Sequence, residues 1–181
     1  MENRDTEVRI YRELEAGIVT VFYIEELIDT QTRRQKLYSG ILALLSSGGG
    51  LSAIIQIMNG NIISKVLSIL IAFLAAISII FNQFSSIWIR SANEMSKLSK
   101  LYGDYIRYSD SLHNIFALYR SDEINEKKAL LMLKEVNSNF ADNKIEGSII
   151  FGNISNNSKE YKRSVEKQIE YLNSIYNYDG K

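Results

Sequence analysis

The chain has 181 residues, 21 basic and 21 acidic side chains, one histidine, and neither cysteine nor proline. Zero formal charge gives no ground for expecting nucleic acid or anionic lipid from bulk electrostatics, and the missing cysteines exclude disulfides and thiolate metal sites. A mean hydropathy of −0.09 averages over a sharp partition: charged residues fill the first 36 positions and the part after Ser91, with almost none between.

Residues 1–36 predict a cytosolic amphipathic helix, with Val8, Tyr11, Leu14, Ile18, Val21, Ile24 and Ile28 three or four positions apart on its buried face. Glu25, Glu26 and Asp29 form an acidic cluster. No second cluster supplies metal-ligand spacing, so they read as a solvated face beside Arg33.

From 37 to 64, and again from 66 to 89, no side chain is charged. A helix crossing hydrocarbon needs about 20 mostly apolar residues. Segment 37–89 therefore predicts a transmembrane hairpin with spans at 37–58 and 63–82, reversing at the Asn-Gly-Asn turn 59–61. Small residues recur every four positions in both spans. Ser39, Ala43 and Ser47 form one row and Ser64, Ser68, Ala72 and Ala76 another, while Ser46 pairs with Gly50 and Gly49 with Ala53. With Gly48 beside them, these rows predict close helix packing within the hairpin or between copies. Ser46, Ser47, Ser68 and Ser78 would give a mildly polar lining to any pore built from several copies. Basic residues flank both spans, Arg33 and Arg34 before the first and Arg90 after the second, and Tyr38 and Trp88 sit at the same interface. Both termini are expected in the cytoplasm, making this a multi-pass membrane protein.

The C-terminal region 90–181 reads as a cytosolic helical bundle. No breaker follows Trp88, so the second span is expected to continue straight into it, with Leu98, Leu101, Tyr105, Leu112, Phe116 and Tyr119 at helical spacing. Ser121 resembles an N-cap for a helix burying Leu130, Leu133, Val136 and Phe140. Residues 141–158 read as a loop with an extended piece at 149–151. A last helix from near Ser158 would bury Tyr161, Val165, Ile169, Leu172 and Tyr176.

Catalytic chemistry has few carriers here. His113 has Asp110 three residues before it, yet no nucleophile or metal partner accompanies the pair, so it reads as a structural polar residue. Gly48, Gly49 and Gly50 lack the lysine and hydroxyl of a phosphate loop. The tyrosine-rich stretch near Arg107 reads as a bundle seam rather than a base-stacking surface. The expectation is a non-enzyme with no cofactor, no metal and no direct nucleic-acid contact.

The helix "EVRIYRELEAGIVTVFYIEELIDTQTRRQ", the hairpin "LYSGILALLSSGGG…SILIAFLAAISII" and the long helix "WIRSANEMSKLSKLYGDYIRYSDSLH" together resemble the SLATT family of bacterial two-transmembrane effectors. The resemblance implies an all-α membrane effector of antiphage defence. Such a protein would oligomerise in the lipid bilayer to form a pore or perturb the membrane, in abortive infection. Its trigger would come from a separate sensor or a nucleotide-signal-producing protein. The alternatives are a non-pore membrane anchor or scaffold whose bundle recruits a partner protein, and a holin-like lysis protein.

Overall fold

The structure, a computed structural model, describes residues 2–58, 66, 69, 73, 76–80, 83, 89–151 and 158–176, with the side chains of the first helix described over 5–43. The described residues are helical apart from short connections and contain no strand. The helices are α1 (Glu2–Met58), α2 (Ala92–Arg120), α3 (Glu126–Asn139), α4 (Ala141–Phe151) and α5 (Lys159–Tyr176). Residues 66, 69, 73, 76–80 and 83 are helical as well. Without proline, no helix loses a backbone donor in its interior. The chain divides into two compact units, Met1–Ile28 with Asn93–Lys181, and Asp29–Ala92.

The first unit is a helical bundle centred on α2. Its residues Leu98, Leu101, Tyr105, Tyr108, Leu112, Ile115 and Tyr119 are all buried, alternately three and four positions apart, which keeps one stripe facing inward over the helix. Ile10, Leu14, Ile18 and Ile24 of α1 meet this stripe, together with Phe116, Ala129, Leu133, Phe140 and Leu172. Phe140, between α3 and α4, stacks on Tyr108 with centroids 4.3 Å apart and meets Tyr105 edge-on at 4.7 Å. Two glycines allow close approach. A Cβ on Gly17 would lie 2.9 Å from Ser109 Oγ, and one on Gly147 would lie 3.1 Å from Phe151 and 3.3 Å from Tyr105 Oη.

Helix ends follow local chemistry. After Arg120 the chain turns through Asp122 at φ 59°. There the Glu123 N–H donates to the Leu118 carbonyl at 3.0 Å and the Asp122 N–H to Tyr119 at 3.2 Å, a Schellman closure. The cap of α3 is Asn125, whose Oδ1 accepts the Lys128 N–H at 3.0 Å. Ser121, expected in that role, belongs to the preceding closure, its Oγ 3.2 Å from the Leu118 carbonyl. Ser158 does cap α5, accepting the Tyr161 N–H at 3.1 Å.

Several expectations are corrected. The transmembrane hairpin and the multi-pass inner-membrane placement with cytoplasmic termini are not supported: among the described residues no helix is long and apolar enough to cross a membrane. The turn 59–61 and most of the span 63–82 lie outside the described residues. Nor does a helix run unbroken into α2. Residues 89–91 are not helical, and side chains of α1 hold that backbone instead. Gln31 Oε1 accepts the Arg90 N–H at 3.3 Å, and Gln35 Nε2 donates to the Arg90 carbonyl at 3.4 Å. Finally, 141–151 is helix α4 rather than loop and extended piece. Its buried Gly147 and half-buried Ile150 and Phe151 pack on the α2 side of the core, which overrides the strand preference of consecutive branched residues.

Candidate interaction surfaces

Charged side chains fasten α5 to α1. Lys167 Nζ lies 2.9 Å from Glu26 and 3.0 Å from Glu25, and Arg163 lies 3.6 Å from Glu26. The hydrogen bond from Lys167 holds the Glu26 carboxyl below its ordinary range against the opposing effect of burial. The bond to Glu26 likewise raises the Lys167 ammonium. Glu26 is buried, so the acidic cluster is a clamp between helices and not the solvated face expected. Of the cluster, Asp29 alone pairs with Arg33, at 3.7 Å with both side chains largely exposed. Ser164 and Gln168 share the buried line of α5 with Leu172, each one turn from the next. Ile169, expected on that line, is 51% exposed. A hydrophobic pattern cannot reveal a buried face made of serine and glutamine, and the signal that remains is their spacing of four ending on a leucine.

Tyr108 is the centre of a second network. Its hydroxyl lies 2.7 Å from Asn137 Oδ1 and 3.1 Å from Glu13 Oε2, and Lys144 Nζ donates to the same Asn137 oxygen at 2.9 Å. Lys144 is also 3.6 Å from Glu13 and 5.0 Å from the centre of the Tyr108 ring. Burial and the Glu13 carboxylate hold the Tyr108 hydroxyl far above its ordinary range, so it stays protonated and acts as a donor. This joins α1, α2, α3 and α4 at one point.

His113 faces α5. Its Nδ1 lies 2.8 Å from Tyr176 Oη, and Tyr176 also meets Phe116 edge-on with centroids 5.1 Å apart. Burial pushes the Tyr176 hydroxyl up to about 12, so with Nδ1 unprotonated the phenol donates to the imidazole. The carboxylate three residues earlier, Asp110, is exposed. Of the tyrosine-rich stretch, Tyr105 and Tyr108 belong to the core and Tyr102 is half-buried against it. Among the described residues, no group of three or more His, Asp or Glu is arranged to hold a metal ion.

Two shallow depressions adjoin on the bundle surface. One, of about 470 Å³, is lined by α1 residues including Val8, Arg9 and Arg12. The other, of about 340 Å³, lies between Arg9 and the α3 residues Leu130, Leu133, Lys134 and Asn137.

The packing and anchor residues read from the sequence fall in the second unit. Ser46, Ser47, Gly48, Gly49 and Gly50 lie within the bounds of α1, with their side chains outside the description. Ser64, Ser68, Ala72 and Trp88 lie outside the described residues, and Ala76 is helical and exposed. Arg34 is exposed, and Tyr38 and Arg90 are half-buried. The structure thus describes few of the side chains expected to line a pore. What it does present is a set of exposed apolar side chains that the sequence reading had assigned to lipid. Val66 is 61% exposed, Ile69 71%, Phe73 65% and Ile80 55%. No family model matches the chain, and no curated protein or solved structure matches it.

Proposed function

We propose that this chain is a non-catalytic helical interaction module that pairs with a second copy of itself and offers its bundle to a partner protein. The observation that carries the reading is the exposed apolar set of the second unit. Val66, Ile69, Phe73, Ile77, Ile79 and Ile80 are all helical and exposed, and the seam with a second copy is proposed to run over them. Apolar side chains grouped in this way mark an interaction site more often than a solvated face. The pore-forming reading stood on the membrane hairpin and goes with it; the scaffold reading keeps its partner-recruiting bundle without the anchor. Polar groups that could have served catalysis are engaged structurally, His113 with Tyr176 and Glu26 with Lys167.

Because the chain has no cysteine of its own, single substitutions Ile69→Cys, Phe73→Cys and Ile80→Cys report pairing directly. Mild oxidation is expected to trap disulfide-linked dimers at all three, since facing seam positions bring Cα atoms within about 7 Å. Leu131→Cys, an exposed position on the bundle, should yield none. Equal yields at all four positions, or dimers at none of the seam positions, would overturn the reading.

A further inference from the structure

We infer that the furrow between α1 and α3 receives an acidic amphipathic segment of a partner protein. Arg9 lines both depressions, so the two meet at its side chain. Arg9, Arg12 and Lys134 are exposed along it. Among the described residues none of the three has a carboxylate within ion-pair distance, whereas Lys144, Arg163 and Lys167 are all engaged within the bundle. The furrow also holds carboxylates, Asp5 and Glu13. Glu13 is committed to Lys144 and Tyr108, Glu15 interacts with Arg12 through space, and Asp5 is the other carboxylate of the lining. Val8, 42% exposed, lines one depression and Leu130 the other.

This combination selects among ligands. Two guanidiniums offer forked donors that match carboxylates, and the ammonium adds a point charge. An acidic amphipathic helix would set its carboxylates on Arg9, Arg12 and Lys134 and its apolar stripe on Val8 and Leu130. Nucleic acid fits poorly, because no aromatic ring lines the furrow for base stacking. A compact phosphorylated metabolite would find no enclosing wall in a surface this open. The furrow lies in the first unit, so the inference does not depend on pairing through residues 66–80.

The test uses the full chain and a fluorescein-labelled two-heptad peptide carrying glutamates on one helical face and leucines on the other, read by fluorescence anisotropy. Saturable binding that weakens as salt is raised is expected. Arg9→Glu and Lys134→Glu should each raise Kd by about tenfold or more, through like-charge repulsion at the rim. Lys162→Glu, an exposed reversal on α5, should leave Kd unchanged, with far-ultraviolet circular dichroism matching the unmodified chain in every case. The inference is overturned if the unmodified chain shows no saturable binding, or if Lys162→Glu weakens it as much as Arg9→Glu. Tighter binding of a single-stranded oligothymidylate with the same sensitivity to Arg9→Glu would also overturn it, assigning the furrow to nucleic acid.

Discussion

The contact between Gly17 and Ser109 invites a double-mutant cycle. A methyl on Gly17 would sit 2.9 Å from Ser109 Oγ and 3.4 Å from the Tyr108 ring. The first distance forces a shift; the second is ordinary contact. Ser109 Oγ is also buried without a hydrogen-bond partner among the described residues. Replacing glycine by alanine within a helix is worth about 1 kcal/mol in propensity, while overpacking a core costs about 1–3 kcal/mol. Gly17→Ala alone should therefore be neutral to destabilising by about 2 kcal/mol. Ser109→Ala removes an unsatisfied buried hydroxyl and should stabilise by about 1 kcal/mol. With that hydroxyl gone, Gly17→Ala should express its propensity gain and stabilise further by about 1 kcal/mol. The two changes would then couple by about 1–3 kcal/mol in urea unfolding followed at 222 nm. Additivity within about 0.5 kcal/mol would refute the claim that the oxygen is what excludes a side chain at position 17.

Other outcomes follow from the same structure. Asp122→Gly should raise stability by about 0.5–1 kcal/mol in thermal melts, because glycine occupies the left-handed region at φ 59° without the cost of a Cβ. Lys167→Met should lower stability by about 1–3 kcal/mol by leaving the buried Glu26 carboxylate with Arg163 at 3.6 Å. The same clamp has a pH signature. Glu26 titrates below its ordinary 4.5 when folded, so its contribution is present above that pH and is lost as pH falls through the depressed value. Lys167 titrates above its ordinary 10.5 when folded, so its contribution is present below that pH and is lost as pH rises through the raised value. Urea melts across pH should show both losses, and in the Lys167→Met chain both should shrink. Phe140→Ala should cost about 3–5 kcal/mol, since the ring is buried between Tyr105 and Tyr108.

Legibility in the sequence varied from helix to helix. The buried stripe of α2 was readable because it is strictly apolar or aromatic, and all six residues expected there are buried. On α1 the stripe was read slightly rotated. Val8, expected on the buried face, is exposed, while Ile10 is wholly buried; a helix apolar on several sides leaves its facing direction to tertiary contacts. The clamp escaped notice because Glu26 and its partners Arg163 and Lys167 lie more than 130 residues apart along the chain. The Tyr108 network likewise joins residues whose relation appears only once four helices are packed. The membrane hairpin is an expectation from the absence of charge over 37–64 and 66–89, and absence of charge is shared by lipid-facing and partner-facing helices alike. The SLATT resemblance rests on the same layout.

The central claim, that residues 66–80 face another copy of the chain, is tested most directly by sedimentation equilibrium of the full chain in detergent-free buffer. The account predicts a mass of twice the 20.7 kDa chain, returning to a single chain when Ile69, Phe73 and Ile80 are all replaced by glutamate. A 20.7 kDa species at every concentration of the unmodified chain, or recovery only within detergent micelles, would contradict it.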